Sequence, residues 1–151
     1  MLLVNKELRQ RQETKRTKGK AQMVVAHVAG QLVASIYMPP DERSKLEGAE
    51  MIAEFFAETG YAEDRWVIAG DFNDVWHESP SGAVLARAGG RPMPFRKATR
   101  WAGGREIDWI VVNNDDPEDV MTFHDDIRLS DHIAIEGRLR IHKRDRKIRE
   151  S

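Results

Sequence analysis

The chain has 151 residues, 40% hydrophobic and 32% charged, with no cysteine. That length suits one domain with one core, and the lack of cysteine excludes a disulfide framework and a cysteine zinc site. The net charge of -1 hides a segregation: residues 1–20 and 138–151 each carry seven bases against two acids, while the middle carries ten bases against twenty-one acids.

Residues 5–20 lack apolar periodicity and read as a loose or helical polar lead-in. Met23–Val28 and Leu32–Tyr37 are apolar, β-branched runs around Ala29-Gly30, the pattern of a β-hairpin. Pro39-Pro40 ends the second strand, since proline cannot donate to a ladder. Residues 42–59 form the strongest helical pattern, with Leu46, Ala49, Ile52, Phe55, Phe56 and Thr59 at intervals of three and four. Asp41 is placed to cap its start and Gly60 to stop it.

Arg65–Gly70 is a short apolar strand. Ser79-Pro80 opens a second helix through about Ala88, closed by Gly89-Gly90; serine at the cap and proline at the first position suit that start. Arg91–Gly104 is loop-like, apart from a brief pairing segment at Thr99-Arg100-Trp101. Ile107–Val112, Val120–Phe123 and Ile133–Ile141 complete the strands. The mixture implies an α+β layered domain, two helices lying on one face of a mostly antiparallel sheet.

Three segments place polar groups just beyond or within strands, where a rigid scaffold holds functional side chains. In Gly70-Asp71-Phe72-Asn73, an extended chain would project Asp71 and Asn73 to one side and Phe72 into the core. A carboxylate and an amide there can orient a water and donate to a phosphate oxygen; the alternative is an Asx turn. Asp108, within Ile107-Asp108-Trp109-Ile110, is costly to bury without a partner; the alternative is simple alternation toward solvent. Ser130-Asp131-His132 offers a histidine suited to proton transfer near neutral pH and to pairing with Asp108, or an Asp-His pair of no special role. Trp76 and Trp101 suit stacking on a substrate ring, though packing is the commoner use of such residues.

Taken in order, Ile36-Tyr37-Met38-Pro39, Gly70-Asp71-Phe72-Asn73, Thr99-Arg100-Trp101, Ile107-Asp108-Trp109 and Ser130-Asp131-His132 resemble the endonuclease/exonuclease/phosphatase superfamily, whose fold is deoxyribonuclease I-like. The resemblance covers about residues 21–141, leaving 1–20 as lead-in and 142–151 as a basic tail. It implies divalent-metal-dependent hydrolysis of phosphoester bonds. Asp71 would orient or deprotonate the attacking water, and Asn73 would hold a non-bridging phosphate oxygen. Tyr37 would position the phosphate through its hydroxyl. His132 would donate to the phosphate, with Asp108 holding its ring. Asp131 would contribute to a site for Mg2+ or Mn2+, a hard cation that takes oxygen ligands.

The family domain is an α/β/β/α sandwich of two similar halves, and the motifs here are those of the C-terminal half. In the other half a strand ending in Gln-Glu supplies a principal metal ligand. Gln12-Glu13-Thr14 spells those letters, but its flanks do not form an apolar strand, and Glu13 is not assigned that role. The resemblance therefore implies a fragment with weak metal binding and impaired catalysis, and a sheet face open to self-association or a partner. The competing expectation is a catalytically inactive remnant that binds nucleic acid or protein.

The basic ends suit a polyanion such as DNA or RNA, or they are solvated tails. No apolar run approaches the ~20 residues of a membrane span, and Met1-Leu2-Leu3-Val4 is too short for a signal peptide. Together with the missing cysteine, this points to an intracellular protein, cytoplasmic or nuclear.

Overall fold

A computed structural model describes residues 14–28, 31–60, 65–93 and 107–113 in full, and the backbone of 120–124 and 134–138. The main element is a six-stranded mixed sheet. Its strands are β1 (Thr14–Lys18), β2 (Ala21–Val28), β3 (Gln31–Tyr37), β4 (Trp66–Asp71), β5 (Arg91–Pro92) and β6 (Asp108–Val112), in the order β1-β2-β3-β4-β6-β5. Two helices, α1 (Glu42–Thr59) and α2 (Pro80–Arg87), contact each other. Strands β7 (Val120–His124) and β8 (Ala134–Arg138) form a separate antiparallel pair.

The hairpin of β2 and β3 is antiparallel, as the two runs around Ala29-Gly30 require. β3 and β4 pair in parallel, with α1 as the crossover. Parallel neighbours need such a long connection, whereas the antiparallel pairs elsewhere do not.

Helix α1 begins and ends where the sequence predicts. The Asp41 carboxylate accepts from the Ser44 amide at 2.9 Å, and Gly60 takes the left-handed conformation, its amide donating to the Phe56 carbonyl. Such caps satisfy backbone groups that the helix itself leaves open. In α2 the Ser79 hydroxyl accepts from the Gly82 amide and Pro80 sits at the start.

The main core lies between the helices and one face of the sheet. Met23, Val25, Leu32, Ala34, Ile36, Trp66, Ile68, Trp109 and Val111 face Ile52, Phe55, Phe56 and Leu85. Alternation along the strands sends Val67, Ile110 and Val112 to the other face, where they cluster with Met93.

Three expectations change. Within the supposed loose or helical lead-in, Thr14–Lys18 is an edge strand paired to β2, so the sheet begins ahead of residue 21. Arg16 and Lys18 turn toward α1, where Arg16 binds Glu58 at 2.6 Å and Lys18 binds Glu54 at 2.6 Å and Glu50 at 3.0 Å. Part of the basic N-terminal region is therefore neutralised internally. Leu46 does not belong to the buried stripe of α1; it is 55% exposed, and Lys45 and Gly48 take that face instead. Arg91–Pro92, read as loop, is a short strand; Thr99-Arg100-Trp101 lies outside the described residues. Among the described residues no helix is long and apolar enough to cross a membrane.

Candidate active site

The site is built at one end of the central strands. β3 ends in Tyr37, β4 ends in Asp71 and β6 begins with Asp108. Tyr37 partners Asp71 in the parallel pair, and Asp71 partners Asp108 in the antiparallel pair. Their neighbours Ile36 and Trp109 point into the helix-side core, so all three polar side chains rise from the opposite face. Partnered residues on one face stand about 4.5–5.5 Å apart at Cβ. Tyr37 is 47% exposed, and both aspartates are half-buried.

Two carboxylates directly across a pair of strands repel each other. A cation or a shared proton between them relieves that repulsion. Asp108 stands half-buried, beside Asp71 on the same face of the sheet.

The chain after β4 turns sharply. Gly70 has φ +153, and a Cβ there would lie 2.0 Å from the Ile36 carbonyl oxygen, so only glycine lets β3 and β4 approach this closely. Phe72 goes fully into the core and stacks on Trp109, centroids 4.1 Å apart, while Trp76 meets Trp109 edge-on at 5.3 Å. This assigns Trp76 to packing.

Asn73 does not continue the extended chain. Its φ is +51, and its backbone amide donates to Asp71 Oδ1 at 2.9 Å. This is the Asx turn, and asparagine tolerates the left-handed conformation it needs. The Asn73 side-chain amide then donates to the Met38 carbonyl at 2.5 Å, and the Met38 amide donates to the Asp71 carbonyl at 2.9 Å. Asp71 and Asn73 are therefore joined through a turn and tied to the end of β3.

One contributor escapes sequence reasoning. Asp74, only 7% exposed, pairs with Lys45 Nζ of α1 at 3.3 Å. The pair fastens the turn to the helix layer. Its only sequence signal is a lysine on the apolar stripe of α1. Asn113, at the end of β6, accepts from the Trp66 amide at 2.8 Å and fixes where β4 begins.

Ser130, Asp131 and His132 lie outside the described residues, as do Gln12 and Glu13, so the pairing of His132 with Asp108 and the metal role of Asp131 have no geometry here. Among the described residues no group of three or more His, Asp or Glu side chains converges. Asp71 and Asp108 supply donors of the type a hard cation takes, but too few to enclose one.

The chain belongs to the endonuclease/exonuclease/phosphatase family, whose model matches residues 4–132. Its fold is deoxyribonuclease I-like, and the family is generally divalent-metal dependent. Similar solved structures include CdtB, the biologically active subunit of cytolethal distending toxin (15% identity, TM-score 0.63, covering 85% of this chain and 56% of that one). TDP2 from Caenorhabditis elegans aligns at 10% identity and TM-score 0.62, over 89% of this chain and 51% of that one. An AP endonuclease from Archaeoglobus fulgidus aligns at 15% identity and TM-score 0.57, over 79% and 65%. The chain thus spans about half to two thirds of the length of these structures. No functionally curated protein sequence gives a significant match.

Proposed function

We propose that this chain is a divalent-metal-dependent phosphoesterase domain acting on nucleic-acid phosphodiesters. The observation that carries this reading is the row Tyr37, Asp71, Asp108, three polar side chains at partnered positions on adjacent strands, in a chain of this family. An AP endonuclease stands among the structural neighbours. A mannosyl-6-phosphatase does too, so diester and monoester hydrolysis are the two chemistries to separate.

In this reading Asp71 orients the attacking water and receives its proton. The turn formed with the Asn73 amide holds one carboxylate oxygen in place. An amide NH2 has two donors, and Met38 takes one; the second serves a non-bridging phosphate oxygen. The Tyr37 hydroxyl donates to the same phosphate. His132 donates to it as charge develops, and Asp108 fixes the imidazole tautomer. Asp131 helps hold Mg2+ or Mn2+, which neutralises phosphoryl charge when bound.

The test is hydrolysis of bis(p-nitrophenyl) phosphate and a labelled oligonucleotide with Mg2+ or Mn2+, against an EDTA control. Metal-dependent turnover should fall by at least ~100-fold in Asp71→Asn and in His132→Ala, with the fold intact by circular dichroism. Turnover that survives both substitutions, or that EDTA leaves unchanged, rules the reading out.

A further inference from the structure

The polar row does not stop at Tyr37. Across the β2–β3 pair Tyr37 partners Gln22, and across the β1–β2 pair Gln22 partners Thr17. The flanking residues Ala21 and Met23 enter the helix-side core, and Arg16 and Lys18 bind glutamates of α1. Gln22 and Thr17 therefore rise from the same face as Tyr37, Asp71 and Asp108. The result is five polar side chains in one line across five adjacent strands. Cover is lost along the line: Asp108 and Asp71 are half-buried, and Tyr37, Gln22 and Thr17 are exposed.

Two cations flank the outer part of this line. Lys15 is on the same face of β1, two residues from Thr17, and is exposed. Lys20 is exposed in the turn between β1 and β2, at the sheet end where β3 and β4 terminate. Its charge reaches the cap of α1, where it helps hold the Asp41 carboxyl below its ordinary range, behind the larger effect of the Ser44 hydrogen bonds. The helix-facing bases of β1 are committed to glutamates; Lys15 lies on the opposite face, and Lys20 stands at the end of the sheet.

We propose that Thr17, Gln22, Lys15 and Lys20 form a binding track for a nucleic-acid strand, leading from the scissile phosphate at Asp71 to the β1 edge of the sheet. Lysine, threonine and glutamine are among the side chains that contact phosphate and sugar without reading sequence. Strands in a sheet are about 4.8 Å apart, so Asp71 to Thr17 is roughly 14 Å. At 3.4 Å per stacked nucleotide that is about four nucleotides. The track makes long substrates bind better than short ones, and it contributes nothing to a small ester that fits at Asp71 alone. The inference rests on the nucleic-acid phosphodiesterase reading above and extends it to substrate length.

The test uses fluorescence anisotropy of labelled oligothymidylates of two and eight nucleotides, in EDTA, over a range of salt. A Lys15→Ala/Lys20→Ala/Gln22→Ala variant should bind the octamer about 10-fold more weakly, with a salt slope shallower by about 1.4, or about 0.7 for each lysine on a single strand. Dinucleotide binding should not change, nor should hydrolysis of bis(p-nitrophenyl) phosphate. Arg87→Ala, which removes an exposed base from α2, serves as the control for general charge and should leave the octamer unaffected. The track is wrong if the parent chain does not bind the octamer, if the triple variant binds it within about twofold of the parent, or if Arg87→Ala weakens it equally. Absence of ester hydrolysis with track-dependent octamer binding would instead sink the catalytic reading.

Discussion

Among the described residues, the ion pair between Lys45 and Asp74 should be worth more to the fold than any surface pair. Its side chains are only 11% and 10% exposed, and the separation is 3.3 Å. Removing one partner of a buried pair leaves an uncompensated charge, at a typical cost of about 3–5 kcal/mol. After Asp74→Asn, Lys45 still has Glu42 at 3.8 Å, although that carboxylate is 88% exposed, so the loss should sit near ~2 kcal/mol. After Lys45→Met the aliphatic stem keeps its packing while the Asp74 carboxylate loses this cation, and the loss should again be about 2–3 kcal/mol. The double variant should recover part of this, giving a coupling energy of about 1–3 kcal/mol. Urea unfolding followed by far-ultraviolet circular dichroism measures all three, provided the slope against denaturant stays constant. Losses below about 0.5 kcal/mol for both single variants would refute the argument, as would additive effects in the double variant.

Gly70→Ala should cost roughly 3 kcal/mol or more, because the added Cβ meets the Ile36 backbone at 2.0 Å and the φ is strained for any other residue; a melting temperature equal to that of the parent would contradict this. Asp41 titrates below its ordinary value of 3.8 because the Ser44 backbone and side chain hydrogen-bond to its carboxylate, aided by the charge of Lys20. A depressed folded-state value means stability present above about pH 3.8 and lost as pH falls through the folded value. Asn caps helices as well as Asp does, so Asp41→Asn isolates the charge: its melting temperature should lie below that of the parent at pH 5, and the two should converge by about pH 2. A constant offset would show that the charge is not the cause.

The helices were legible in the sequence because each carries its own punctuation. Asp41 and Gly60 bound α1, and Ser79-Pro80 opens α2, all through contacts within a few residues. Strand β1 was illegible for the opposite reason. Its outward face is Lys15 and Thr17, and its inward face is Arg16 and Lys18 bound to glutamates, so no apolar alternation marks it. Leu46 misled because hydropathy ranks it above Lys45, whose stem takes the buried position on α1. At the site, the motif Gly-Asp-Phe-Asn located Asp71 and Asn73, but the left-handed Asn73 and its bond to Met38 depend on β3, far away in the chain. The Lys45–Asp74 pair likewise joins a helix to a distant turn, and no local pattern predicts such a contact.

Tyr37, Asp71 and Asp108 come from three segments about 35 residues apart along the chain. Bringing each successive segment into register costs about 3 kcal/mol of closure entropy by the (3/2)RT ln n rule, before any constant term. The β2–β3 hairpin needs only a short turn. Local structure therefore forms without assembling the row, and the row exists only once β3, β4 and β6 have all paired. A partly folded chain would expose acids and a phenol but hold no phosphate. Any activity this site has is then a direct reporter of the completed sheet, and it should appear in refolding with the slowest, most non-local phase.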